Sequence, residues 1–136
     1  MICPATRELV RRRAKRRCEY CGMHEDDDPL FAFHVEHIVP RQHGGGDSPP
    51  NLAYACHQDN LRKGPNLTGI DPVTRRIANL FNPRRHKWSY HFRRQGPLLI
   101  GRTAIGRATV AVLGMNLPHR VTLRAALIDA GLYPSR

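Results

Sequence analysis

The sequence predicts a small α+β domain: strand, glycine-rich turn, strand and short helix, set between a basic amino-terminal helix and carboxy-terminal helices. Three observations predict it. Leu30 to Val39 carries the aromatic and β-branched enrichment of a strand and stops at Pro40. Gly44-Gly45-Gly46-Asp47-Ser48-Pro49-Pro50 then breaks the chain before a short strand, Leu52 to Ala55, and a helix from about His57 to Lys63, closed by Gly64 and Pro65. Past residue 103, apolar residues recur at helical spacing. With 136 residues, no internal repeat and no low-complexity linker, the chain is expected to be one domain over 1–136.

In chain order, Thr6 suits the cap of a helix through about Arg17, with Glu8 in its first turn. Arg11 to Arg17 holds six basic residues in seven. A charge run is usually a solvated face, but this clustering favours a phosphate-facing role, with Arg12 and Arg16 four apart on one helix face. Cys18-Glu19-Tyr20-Cys21-Gly22 follows, then an acidic surface loop from Glu25 to Asp28 and Pro29. After the strand–turn–strand–helix stretch, Asp71-Pro72-Val73-Thr74 suits a turn between two short extended runs. Trp88, Tyr90 and Phe92 read as core anchors, and Leu98 to Ile100 as another strand. Two helices are expected at about Thr103 to Leu113 and Pro118 to Ala130, the second stopped by Gly131. On that second helix Val121, Leu123, Leu127 and Ile128 are spaced for packing.

The charge narrows the partners. The chain has 22 Lys+Arg, 19 of them Arg, against 11 Asp+Glu, a net +11 that attracts polyanions and disfavours basic ligands. A hydrophobic content of 40% supports a modest core and excludes full disorder. No apolar run approaches the ~20 residues that span a bilayer, so no membrane partner is expected. Met1-Ile2-Cys3-Pro4 leads straight into charged sequence without an apolar h-region. A cytoplasmic, reducing setting is therefore expected, where the four cysteines serve as thiols or metal ligands rather than disulfides.

Residues 34 to 64 carry the chemistry. Glu36 and His37 close one strand, Asn51 lies 14 residues beyond His37, and Asn60 lies nine further on, inside the short helix. A strand, turn, strand and helix would bring a carboxylate, an imidazole and an amide oxygen into one small volume. Hard oxygen ligands suit Mg²⁺ or Mn²⁺, and a free imidazole takes a proton near neutral pH.

This pattern resembles the HNH nucleases of the ββα-metal fold. The residues that carry the resemblance are Glu36-His37-Ile38-Val39-Pro40, Gly44-Gly45, Asn51-Leu52 and Cys56-His57-Gln58-Asp59-Asn60-Leu61-Arg62-Lys63-Gly64, with Cys18 and Cys21 upstream. They span about 16–65, leaving 66–136 as an extension whose Gly64-Pro65-Asn66 and Leu80-Phe81-Asn82-Pro83-Arg84 resemble a bacterial subgroup. The resemblance implies that Glu36 binds a catalytic divalent metal, Mg²⁺ or Mn²⁺, and that Asn60 supplies the second protein ligand. It implies that His37 is the general base and that Asn51 ties the two strands so that the His37 ring is held. The implied activity is endonucleolytic hydrolysis of DNA phosphodiesters, expected on double-stranded DNA, leaving 5′-phosphate and 3′-hydroxyl ends. The class set against it is a non-catalytic nucleic-acid-binding module, on DNA or RNA, that keeps the fold.

The sequence departs from the family at Asp59, which stands where the last cysteine of a four-thiolate structural zinc site is usual. Cys18, Cys21 and Cys56 remain, and Asp59, His57, His24 or Cys3 could complete a tetrahedron. The opposing reading is that the site binds nothing and three reduced cysteines pack as small hydrophobes. Arg41, Arg62 and Lys63, with Arg12 and Arg16, are the expected phosphate contacts.

Overall fold

The computed structural model describes residues 2–134. Helix α1 spans Pro4–Arg13, with Cys3 rather than Thr6 at its N-cap and Pro4 presetting its first turn. It stops well short of Arg17, because Lys15 and Arg16 take left-handed backbone at φ 56° and 60°. Arg12 and Arg16 therefore do not share a helix face, and that expectation is corrected. The chain then turns through Cys18 to Cys21 and closes on itself with a single bridge between Arg17 and His24.

Strand β1, His34–His37, pairs antiparallel with β2, Leu52–Ala55, putting Glu36 opposite Ala53 and His37 opposite Leu52. β1 is shorter than the composition suggests. Asp28 Oδ1 accepts hydrogen bonds from the Leu30 and Phe31 amides at 2.9 and 2.8 Å, an Asx-type turn that bends the chain before the strand begins. Leu30 and Phe31 consequently sit exposed in a loop. β2 is buried along its whole length, and after Cys56 the chain enters helix α2, His57–Lys63, as expected.

The glycine-rich turn is folded back onto the end of β1. Asn51 Oδ1 accepts from the Val39 amide at 2.9 Å, while its Nδ2 donates to the Val39 and Gly46 carbonyls at 2.9 and 2.8 Å. A Cβ at position 45 would lie 1.6 Å from the Val39 carbonyl oxygen, so only glycine permits this approach.

The extension begins with a hairpin, β3 (Thr68–Ile70) and β4 (Ile77–Asn79), around the expected turn at Asp71. Helix α3 (Trp88–His91) leads into a second hairpin, β5 (Phe92–Gln95) and β6 (Leu98–Gly101). Phe92 is buried and Trp88 half-buried, its Nε1 donating to the Tyr20 carbonyl at 2.7 Å; Tyr90 is 68% exposed and is not an anchor. Helix α4 (Ala104–Leu113) is capped by Thr103, whose Oγ1 accepts from the Gly106 amide at 3.0 Å. Helix α5 spans Pro118–Asp129.

The three two-stranded antiparallel sheets and surrounding helices make the fold α+β. Its apolar core runs from Val10 through Tyr20, Leu52 and Phe81 to Phe92 and Leu99. On α5 the fully buried residues are Arg120 and Arg124, while Val121, Leu123, Leu127 and Ile128 are only half-buried. The two arginines donate to the Leu113, Pro97 and Met115 carbonyls at 2.9, 2.7 and 2.9 Å, so α5 docks through charged donors and exposed carbonyls of the preceding turn. No helix of the described residues is long and apolar enough to cross a membrane.

Candidate active site and metal centre

Glu36, His37 and Asn60 line one open cleft, together with Arg41, Gln42 and Pro65. The register of β1 on β2 and the start of α2 one residue after β2 bring the three together. Glu36 is 4% exposed, with Oε2 accepting from the Tyr20 hydroxyl at 2.6 Å. Its Oε1 pairs with the Lys63 ammonium, Nζ lying 2.5 Å away. Burial raises the Glu36 carboxyl pKa, and the Lys63 charge opposes that rise. A carboxylate and an amide side chain in the same cleft are the hard oxygen donors that suit a divalent cation, and here the carboxylate is also held by Lys63 and Tyr20.

His37 Nε2 lies 2.7 Å from Asp47 Oδ1. Arg41 grips the same carboxylate, both oxygens at 2.8 Å from its Nη2. The His37 contact, followed by Arg41, holds the Asp47 carboxyl down at about 2. The basic ring, the arginine and the carboxylate thus form one network across the glycine-rich turn.

Lys63 is corrected as a phosphate contact. It is 2% exposed, and besides Glu36 its ammonium meets the His37 and Ile38 carbonyls at 3.3 and 3.1 Å. It braces the end of β1 from below. Arg41 lines the cleft and is exposed, whereas Arg62 is exposed but its side chain lies against Gly114 and does not line the cleft. Arg12 is exposed and donates to Glu8 at 2.9 Å, and Arg16 is exposed in the turn after α1. Asn51 bonds the backbone of Val39 and Gly46 and does not line the cleft.

A second cluster lies in the interior. One donor atom each from Cys18, Cys21, Cys56 and Asp59 lies within 4.8 Å of the other three, and all four residues are buried. Cys21 and Cys56 Sγ are 3.8 Å apart, which matches the edge of about 3.8 Å of a tetrahedron with Zn–S bonds of about 2.3 Å. Cys18 Sγ approaches Asp59 Oδ2 at 3.2 Å. The donors therefore fit a closed tetrahedral zinc. Of the four side chains that could complete the set, Asp59 is the one that lies with the three sulfurs. Cys3 is exposed at the cap of α1, His24 Nδ1 accepts from the Asp26 amide, and His57 faces His34 at 3.1 Å. Burial pushes the Cys18 thiol and the Asp59 carboxyl up, the latter to about 6. Bonds from Cys18 and Cys56 pull the Cys21 thiol down.

Tyr20, Asp47 and Arg120 carry no signal in the sequence that marks them as site residues. Tyr20 lies inside the Cys-x-x-Cys stretch and Asp47 inside a flexible turn, where composition alone reads as connection. Arg120 lies 61 residues beyond Asp59, which it contacts. No curated protein and no solved structure matches the chain significantly. A family model, that of the HNH endonucleases, matches residues 18–66, the segment that holds both clusters. The segment that holds both clusters is therefore similar to the HNH endonucleases.

Proposed function

We propose that the chain is a metal-dependent endonuclease that hydrolyses phosphodiester bonds of double-stranded DNA. The observation that carries this reading is the meeting of Glu36, His37 and Asn60 in one open cleft. Glu36, through its carboxylate, and Asn60, through its amide oxygen, would hold one Mg²⁺ or Mn²⁺. That ion would offset negative charge on the phosphate and on the departing 3′ oxygen. His37 takes the proton of the attacking water, the new P–O bond forms, and the P–O3′ bond breaks. The 3′ oxygen is protonated from solvent, leaving a 5′-phosphate and a 3′-hydroxyl. Asn51 holds the turn beside His37, and Arg41 lies at the cleft where a phosphate would enter. The Cys18, Cys21, Cys56 and Asp59 cluster would hold a structural Zn²⁺ that fixes the Cys-x-x-Cys turn to α2 and takes no part in the reaction.

One observation favours a second reading, a nucleic-acid-binding module without catalysis. Glu36 is engaged by Lys63 and Tyr20, and His37 by Asp47, so both reactive groups have partners within the chain. Supercoiled plasmid incubated with the protein and Mg²⁺ or Mn²⁺, with and without EDTA, separates the two. Nicking that needs the metal, and that falls by about 10²–10⁴-fold in His37→Ala with DNA binding kept within a few-fold, is the expected result. Binding without cleavage at any metal concentration would establish the second reading instead.

A further inference from the structure

We propose that Arg120, on the carboxy-terminal helix α5, is a positioning residue of the Cys18–Cys21–Cys56–Asp59 metal centre, making an aspartate serve where a fourth thiolate is usual. The inference rests on the reading of that cluster as a zinc site.

Three observations carry it. Arg120 Nη1 lies 2.9 Å from Asp59 Oδ1, and the Asp59 side chain is completely buried. The other oxygen, Oδ2, is turned toward the sulfurs and lies 3.2 Å from Cys18 Sγ. The carboxylate is thus divided, one oxygen against the guanidinium and one toward the metal donors. Arg120 Nη2 is also 3.9 Å from Cys56 Sγ, so a single guanidinium reaches two of the four donor residues. Arg120 itself is held by its bond to the Leu113 carbonyl at 2.9 Å, and its side chain is 6% exposed.

The chemistry gives each contact a purpose. A thiolate has one donor atom and needs no orienting partner. A carboxylate has two, on a shorter and harder group, and rotates unless its second oxygen is held. Outer partners of this kind orient metal ligands and tune their strength. Three thiolates and a carboxylate around Zn²⁺ also leave two net negative charges in a buried site, and one guanidinium offsets half of that excess. An ion pair with no metal function would not need its carboxylate to face three cysteine sulfurs. Arg120 lies well beyond residue 66, where the family match ends, so the extension completes a centre that the matched segment leaves one thiolate short.

The test uses the full chain and measures Zn²⁺ content, Zn²⁺ affinity by competition with a chelator, and the visible spectrum of the Co²⁺-substituted protein. Wild type is expected to bind one zinc; none in well-folded wild type would overturn the zinc reading, and this inference with it. Given zinc, Arg120→Met is expected to weaken it by about 10–100-fold and to change the Co²⁺ spectrum, because Asp59 is no longer oriented. Adding Asp59→Cys to Arg120→Met should bring affinity back to within about threefold of wild type, since a thiolate needs no such partner. Arg120→Lys, which keeps the charge and one donor, carries the test if Arg120→Met does not fold. It is expected to bind zinc more weakly than wild type, with an altered Co²⁺ spectrum. Wild-type affinity and an unchanged spectrum in either single variant would overturn the role of Arg120 while leaving the zinc site standing.

Discussion

Lys63 joins the candidate cleft to the core, because its ammonium meets Glu36 Oε1 and the carbonyls of His37 and Ile38 while being 2% exposed. Removing one member of a buried ion pair leaves the other charge without compensation, which costs about 3–5 kcal/mol. Lys63→Met is therefore expected to lower the unfolding free energy by about that amount in urea titrations. Glu36→Gln in the same chain should recover a good part of the loss, because a carboxamide carries no charge to strand. Equal losses in the single and double variants would show that Lys63 acts through its carbonyl contacts alone. Asn60 is half-buried and lines the same cleft. Asn60→Ala is expected to lose plasmid nicking chiefly through metal affinity, so that raising Mn²⁺ restores part of the rate. No recovery at saturating Mn²⁺ would remove Asn60 from the ligand set.

Helix α4 and the β3–β4 hairpin are fastened by one charge pair, in which Arg107 donates from Nε and Nη2 to the two oxygens of Asp71, both at 2.8 Å. The Arg107 bonds, helped by the Val73 amide and the Thr74 hydroxyl, hold the Asp71 carboxyl below its ordinary range. A depressed carboxyl stabilises the fold above its unfolded pKa of about 3.9, and that contribution is lost as pH falls toward the lower folded value. Asp71→Asn is thus expected to be less stable than wild type at pH 6, with the gap closing as pH drops below about 4. Urea midpoints across that range measure it, and a gap that stays constant down to pH 2.5 would contradict the assignment. The same elements show what the sequence could reveal. β2, α2 and α4 were legible because pattern, cap and breaker agree at each: Thr103 caps α4, and Gly64 closes α2. The ends of α1 and β1 were not, because they depend on left-handed backbone at Lys15 and Arg16 and on the side-chain turn at Asp28, which periodicity does not encode. For α5 the helical spacing was right and the packing was not, since the buried contacts are arginine donors to carbonyls rather than leucines. Of the candidate site, the three cleft residues and Cys18, Cys21 and Cys56 stood out by motif, while Asp59 was one of four candidates for the fourth place. Their partners Tyr20, Asp47 and Arg120 were not, because each reaches the site through the folded chain.

Across the whole molecule the net charge of +11 is spread unevenly in what it can do. Buried Arg120 and Arg124 and Lys63 are spent on internal partners. Within the basic run, Arg11 pairs with Glu25 and Glu8, Arg12 with Glu8, and Arg13 and Arg17 bond backbone carbonyls. Among the described residues of that run, Lys15 and Arg16 show no side-chain partner, and both are exposed at the turn after α1. Each phosphate that a side chain neutralises on duplex DNA releases counterion, contributing about −0.9 to the slope of log affinity against log salt. If the turn after α1 rests on the backbone of the DNA, Lys15→Gln with Arg16→Gln should flatten that slope by about one to two units. Arg12→Gln should change it by less, because its guanidinium is already shared with Glu8. Turnover at saturating DNA should hold, since neither Lys15 nor Arg16 lines the cleft with Glu36, His37 and Asn60. Filter binding across a salt series supplies the slope, and single-turnover nicking supplies the rate. An unchanged slope in the Lys15, Arg16 double variant would place the docking surface elsewhere, with Arg41 at the cleft the next residue to replace.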